Sequence, residues 1–156
     1  MSQELVYLLS KNSMTLSVAE SCTGGLISKM ITDAAGSSKV FLGSVVVYSN
    51  KSKVDILKIE KELLESKGTV SEEVALKMAE AVSKIFNSDF SISATGIAGP
   101  EGGSVEKPVG TVYTGVKYNT NNYEVVKHAF SGTREEVRFK TAEYCINQLI
   151  LYLRDL

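Results

Sequence analysis

Histidine is nearly missing from this chain: one residue, His128, in 156. Tryptophan is absent, and there are two cysteines and two prolines. Each scarcity removes a class of protein. A Cys/His zinc site needs clustered ligands, yet Cys22 and Cys145 lie far apart and no Cys-x-x-Cys pair occurs. No metal site is therefore expected. A disulfide framework is equally unsupported, and Cys145 reads as a packing residue in a reducing compartment. No apolar run is long enough to span a bilayer. The first residues, MSQELVYLLSKNS, carry neither the basic start nor the cleavage pattern of a signal peptide. A cytoplasmic protein with no membrane partner is expected. Charge of one sign is lacking too: 17 basic and 18 acidic side chains leave a net charge of −1. That balance does not favour nucleic acid as a partner.

What the chain does have is an ordinary soluble composition, 44% apolar and 22% charged. Its length suits one domain with a single core. Apolar spacing predicts a short amphipathic helix over Glu4–Lys11 and another from Gly24 to Ala34, ended by Gly36. Lys51–Lys58 also reads as helical. The stripe Val74, Met78, Val82 and Ile85, with Ala75 and Ala79 beside it, predicts the clearest helix, Val70–Phe86. Ser71 is its expected N-cap. Thr133 and Glu136 have capping-box spacing at the head of a final helix running to near Leu153. Strands are predicted at Thr15–Ala19, Ser44–Tyr48, Asp89–Thr95, Thr111–Lys117 and Tyr123–Phe130. The last two form an antiparallel hairpin through Tyr118-Asn119-Thr120-Asn121-Asn122. The order α-β-α-β-α-α-β-β-β-α predicts a single α/β domain: a mixed, mainly parallel sheet with an antiparallel hairpin, flanked by helices.

Three segments could carry chemistry. In VAESCTGG, Val18–Gly25, an expected strand turns into an expected helix. Such a turn aims side chains and unpaired N–H groups at one point, and its glycines let a ligand approach. Ser21 reads either as a nucleophile or, with Thr23, as a helix cap. Cys22 is the rival nucleophile, but a thiol needs a base or a setting that lowers its pKa. The sole histidine falls in an expected strand, where a half-buried structural role is commoner. A serine nucleophile without histidine requires another base, and a lysine of lowered pKa can serve. Tyr48-Ser49-Asn50-Lys51-Ser52-Lys53 closes the second strand. If the first two strands are parallel neighbours, Ser21 and Tyr48 end on the same sheet edge, where open α/β sheets bind ligands. Lys53 would then lie near the start of the next helix, whose dipole lowers an amine's pKa. Alternatively Lys51, Lys53 and Lys58 are solvated surface lysines.

The second segment, TGIAGPEGGSVEKPVG, Thr95–Gly110, is a long connection holding both prolines and five of the twelve glycines. It matches neither a P-loop nor a G-x-G-x-x-G fingerprint, but long glycine-rich loops are commonly functional. The third is Gly132-Thr133-Arg134-Glu135-Glu136-Val137-Arg138. Arg134 and Arg138 share a helical face at the positive end of the helix. A bound anion, or salt bridges to nearby carboxylates, would relieve that arrangement.

In order and spacing, AESCTGG (19–25), Tyr48-x-Asn50-x-x-Lys53, GTVS (68–71), TGIAGPEGG (95–103), Lys107-Pro108-Val109-Gly110 and Gly132-x-Arg134 resemble the C-terminal domain of the competence/damage-inducible protein CinA. The resemblance covers nearly the whole chain, so residues 1–156 are expected to form one such domain. Stand-alone members of that family include nicotinamide-nucleotide amidohydrolases. The resemblance implies a single-layer sheet between helices, with no metal or other cofactor. It implies hydrolysis of the carboxamide of nicotinamide mononucleotide to nicotinate mononucleotide and ammonia. Ser21 would be the nucleophile, and Tyr48 and Lys53 would activate it. The expected substrate-binding residues are Thr23, Gly24, Gly25, Asn50, Thr95, Gly96, Gly99 and Arg134. Thr95, the backbone from Gly96 to Gly99 and Arg134 are assigned to the phosphate, and the amides from Cys22 to Gly25 to the oxyanion. Two positions depart from the family's usual pattern: Gly43-Ser44 replaces Gly-Gly, and Thr133 replaces an aspartate. The partner implied is a small nucleotide, and the chain is expected to act alone or as a homo-oligomer.

Overall fold

The computed structural model describes residues 1–118 and 122–156. The Asn119–Asn121 part of the expected hairpin turn lies outside the described residues. Five strands form one sheet in the order β2-β1-β3-β4-β5. They are β1 (Leu16–Glu20), β2 (Phe41–Val46), β3 (Phe90–Gly96), β4 (Thr111–Lys117) and β5 (Tyr123–Ala129). β1 pairs in parallel with both β2 and β3, while β3–β4 and β4–β5 are antiparallel. Only β4 therefore runs against the others, as the expected mixed sheet requires.

The helices are α1 (Ser2–Lys11), α2 (Leu26–Thr32), α3 (Asn50–Asp55), α4 (Lys61–Lys67), α5 (Glu72–Phe86) and α6 (Arg134–Arg154). None is long and apolar enough to cross a membrane. α1, α2 and α6 close one face of the sheet, and their apolar residues meet Leu16, Val18, Phe90, Ile92 and Ala94 in the main core. α5 covers the other face with Val74, Met78 and Val82, packed with Ala19 and Val47.

β3 shows how sequence alternation becomes a three-layer sandwich. Its residues alternate because a strand's side chains point to opposite faces. Phe90, Ile92 and Ala94 enter the main core. Ser91 and Ser93 face α5, where their hydroxyls donate to the carbonyls of Ala79 at 2.7 Å and Ala75 at 2.6 Å. Small residues on both partners permit this close approach. A Cβ on Gly115 would stand 2.6 Å from Ser93 Oγ and 3.1 Å from the Ala75 carbonyl oxygen.

Some expected boundaries moved. α4 lies in a stretch with no predicted element, and a single 3₁₀ turn occupies Ser37–Lys39. β2 begins at Phe41, because Gly43 makes room for the Phe86 ring: a Cβ there would sit 2.5 Å from it. The β1–β2 register slips between Leu16 and Ser17 opposite this glycine, a common use of glycine in a strand. Ile85 leaves the buried stripe and is 49% exposed. It lies in the last turn of α5, where Asn87 closes the helix in the left-handed conformation and Ile85 lines a surface groove with Ile56. The two expected caps hold: Ser71 Oγ accepts from the Val74 amide, and Thr133 with Glu136 forms a capping box. An aspartate at position 133 could accept the same amide, since either side-chain oxygen caps a helix.

Candidate functional site

β1, β2 and β3 are parallel, so their carboxyl ends reach one edge of the sheet. β5 runs the same way and delivers the start of α6 to that edge. Ser21 follows β1, Tyr48 follows β2 and the loop from Ile97 follows β3. A cleft of about 270 Å³ opens there, lined by Ser21, Tyr48, Lys53, Thr95, Gly96, Gly99 and Arg134, with Cys22, Thr69 and Val70 among the others.

The turn at Ser21 is built by its neighbours. The Ser21 amide donates to the Ala94 carbonyl of β3, and the Gly24 amide returns to the Ser21 carbonyl. Gly24 and Gly25 take φ of +59° and +100°, conformations costly for any residue with a Cβ. Neither Ser21 nor Thr23 caps α2: its N-cap is Gly25, without a side-chain cap bond. Glu20 fills that role. Its fully buried carboxylate accepts from the amides of Gly25, Ile27 and Ser28 and from the Ser28 hydroxyl. From α6, Arg138 donates to the Thr23 carbonyl at 2.8 Å. Ser21 is therefore released from capping and faces the cleft.

Lys53 reaches the same point from α3. A capping box of Ser49 and Ser52 starts this helix, and the Val47 amide is tied to the Glu20 carbonyl at 2.8 Å. The Lys53 side chain is drawn inward and is 1% exposed. Its Nζ lies 2.9 Å from Ser21 Oγ and donates to the Val47 carbonyl at 2.8 Å. Lys51 and Lys58 stay exposed, so the surface-lysine reading fails for Lys53 alone. Burial lowers the Lys53 pKa from 10.5 to about 8. The cause is desolvation of the ammonium, not the dipole expected from sequence. A neutral amine in this position gives one hydrogen to Val47 and turns its lone pair to the Ser21 hydroxyl. That is the geometry of a nucleophile beside its base.

Cys22 is not the rival nucleophile: burial pushes its thiol up to about 12, far from the thiolate form. His128 is half-buried on β5, where Nε2 meets Thr114 Oγ1 at 2.8 Å and the ring stacks on Phe130. Desolvation lowers its pKa, and it does not line the cleft.

The remaining expected residues divide. Arg134 spans the cleft mouth, donating to the Gly99 carbonyl at 2.8 Å and to the Tyr48 hydroxyl at 2.7 Å. Neither Arg134 nor Arg138 forms a salt bridge among the described residues. The carboxylates suggested by sequence are not their partners. Tyr48 is 60% exposed and does not stand between Lys53 and Ser21. Thr95 lines the cleft, but its hydroxyl donates to the Thr69 carbonyl at 2.8 Å, so its one proton is already spent. Thr23, Gly24 and Gly25 shape the turn without lining the cleft. The amides of Gly24 and Gly25 are committed to Ser21 and Glu20. Among the described residues the amides of Thr23, Ala98 and Gly99 make no hydrogen bond, and that of Cys22 meets only its own thiol. Asn50 lies outside this cleft, on the exposed start of α3. Glu20 and Thr69 were not assigned site roles from sequence, and Arg138, offered there with Arg134 as an anion contact, instead braces the Ser21 turn. An acidic residue just ahead of a Gly-Gly turn was the readable signal for Glu20, since helix N-termini attract carboxylates.

These features define an α/β domain with a small-molecule cleft and a buried serine–lysine pair at the carboxyl edge of its parallel strands. The chain belongs to the CinA C-terminal domain family, which matches residues 1–153. It is 50% identical over 142 residues to a CinA-like protein of Geotalea daltonii and 48% identical over 147 residues to one of Fervidobacterium nodosum. These matches cover 91% and 94% of this chain but only 34% and 36% of those relatives' lengths. Among solved structures, the competence/damage inducible protein CihA of Agrobacterium tumefaciens superimposes with a TM-score of 0.94 at 36% identity, covering 98% of this chain and 93% of that one. A CinA superfamily protein of Enterobacter cloacae gives 0.93 at 31% identity, covering 97% and 89%.

Proposed function

We propose that this domain hydrolyses the carboxamide of nicotinamide mononucleotide, giving nicotinate mononucleotide and ammonia. The observation that carries the reading is the 2.9 Å contact between Ser21 Oγ and the buried Nζ of Lys53. Neutral Lys53 takes the Ser21 proton directly, and Oγ attacks the amide carbon. The amides of Cys22 and Thr23, which no other residue engages, receive the oxyanion, narrowing the donors expected from sequence; losing one such donor costs about 3 kcal/mol. Lys53 passes that proton on to the amide nitrogen and is neutral again, while Tyr48 hydrogen-bonds the departing nitrogen. Tyr48 suits this role because its oxygen accepts from Arg134 and its own proton is left to give. Ammonia departs, and water, deprotonated by Lys53, hydrolyses the acyl-serine. The amides of Ala98 and Gly99 and the spare N–H groups of Arg134 bind the phosphate.

Ammonia release from nicotinamide mononucleotide, with chelator present, tests this. Wild-type turnover should be lost in Ser21→Ala, the variant remaining folded. Full turnover by Ser21→Ala sinks the mechanism. Tight binding by the wild type without ammonia release would instead identify a nucleotide-binding module.

A further inference from the structure

Glu20 sets a fully buried carboxylate behind the Ser21 turn, held by the amides of Gly25, Ile27 and Ser28. A fixed negative charge there opposes a second one developing at the amides of Cys22 and Thr23. Arg138 of α6 brings the opposite charge to the same turn. It is half-buried, and it forms no salt bridge among the described residues. Both charges are felt at Cys22. Burial dominates that thiol's pKa, and beyond burial Glu20 pushes it up while Lys53 and Arg138 pull it down. Arg138 does not line the cleft, so any effect on the reaction must pass through the turn.

The path is a chain of peptide groups. Arg138 Nη2 donates to the Thr23 carbonyl at 2.8 Å. The far end of that peptide is the Gly24 amide, which donates to the Ser21 carbonyl at 3.1 Å. The far end of that second peptide is the Cys22 amide, one of the two oxyanion donors of the proposed mechanism. A carbonyl that accepts a hydrogen bond polarises its peptide and strengthens the bond its N–H donates. A charged donor does this more than a neutral one. Gly24 permits the approach: a Cβ there would stand 3.1 Å from Nη2 and crowd the guanidinium. We propose that Arg138 is a positioning residue of the oxyanion site, whose charge acts through the Thr23–Gly24 and Ser21–Cys22 peptides to strengthen the Cys22 amide as a donor and to offset Glu20. The effect belongs to the transition state, because the carbonyl of bound substrate carries little charge. This inference rests on the amidohydrolase reading.

The test compares wild type with Arg138→Met, which removes bond and charge, Arg138→Gln, which keeps a neutral donor, and Arg138→Lys, which keeps the charge. Four quantities are measured: ammonia release from nicotinamide mononucleotide, calorimetric binding of that nucleotide in a Ser21→Ala background, thermal unfolding, and Ser21-dependent release of p-nitrophenolate from p-nitrophenyl acetate. The ester needs an oxyanion at Ser21 but no nucleotide site. Arg138→Met and Arg138→Gln should lower kcat about tenfold, less than the loss of a whole donor, with KM and binding unchanged. Arg138→Lys should stay within about threefold of wild type. A folded Arg138→Met protein with wild-type kcat overturns the proposal and leaves the amidohydrolase intact. A fall in kcat matched by weakened binding, with Arg138→Lys no better than Arg138→Met, makes Arg138 structural only and overturns it too. If Arg138→Met does not fold, equal kcat in Arg138→Gln and Arg138→Lys overturns it. Ester turnover that falls about tenfold in Arg138→Met, in a protein that releases no ammonia, removes the nucleotide reading and keeps the role of Arg138. A wild type with neither Ser21-dependent reaction overturns both.

Discussion

Lys53 is 1% exposed and touches two oxygens, Ser21 Oγ and the Val47 carbonyl. Its chemistry follows from that burial. Desolvation favours the neutral amine and brings its pKa from 10.5 to about 8. The neutral fraction grows as pH rises through that value. On the proposed mechanism, kcat/KM should climb about tenfold between pH 7 and pH 9, read by ammonia release across a buffer series. A flat profile would remove Lys53 as the base. The same depression acts on stability with a definite sign. Between pH 8 and 10.5 the unfolded chain binds the lysine proton more strongly than the folded one. Lys53 therefore makes stability rise with pH across that window, and below it the full cost of a buried ammonium is carried. Lys53→Met removes both effects: kcat should fall about 10³-fold, while the thermal midpoint at neutral pH holds or rises.

At the scale of elements, α2 is a seven-residue helix, too short to persist alone. Its first turn is secured by the Glu20 carboxylate through three amides and a hydroxyl. This bond set stands beside the Ser21 turn and fixes its direction. Hydrogen bonds to a charged, buried group are among the stronger ones. Glu20→Ala should cost about 3 kcal/mol in urea unfolding and, for a domain of this size, roughly 6–12 °C in thermal midpoint. A loss below about 0.5 kcal/mol, the range of a surface substitution, would contradict the capping role. The elements also explain which sequence signals could be trusted. Ser71 and the Thr133/Glu136 pair were legible because a cap bonds an amide three residues ahead. Glu20 serves amides five to eight residues ahead across a glycine turn, beyond the three-residue spacing of a cap, so its acidic side chain ahead of the Gly-Gly pair was the one signal.

Across the whole molecule, the sheet order decides both stability and site. β1 is paired on both sides and every residue in it is buried. β3 is likewise central, between β1 and β4. β2 and β5 are the edges, with partly exposed residues throughout. Amide hydrogen exchange should therefore be slowest in β1 and β3, approaching the global unfolding limit, and faster in β2 and β5. Equal protection of β2 and β1 would contradict this ranking. The order also gathers the site. Ser21, Tyr48 and the loop from Ile97 are dispersed in the chain and meet because three parallel strands end together.

The sequence by itself determined the elements with strong local signals: the α5 stripe, the β4–β5 hairpin, the two caps and the alternation of β3. It offered Ser21 and Lys53 as candidates beside a helix cap and a surface lysine, and the resemblance to the CinA family singled out the pair. These conclusions depend on periodicity, turn chemistry and spacing, which a linear chain carries. Tertiary structure alone decided the rest. It buried Lys53 and lowered its pKa, because desolvation depends on neighbours remote in sequence. It spent the Thr95 hydroxyl on Thr69, tied Arg134 to Tyr48 and left Asn50 outside the cleft, because hydrogen-bond partners are chosen in space. It left Thr69 Oγ1 unpaired, which no propensity can foretell: whether a hydroxyl has a partner is settled only when every surrounding element has packed.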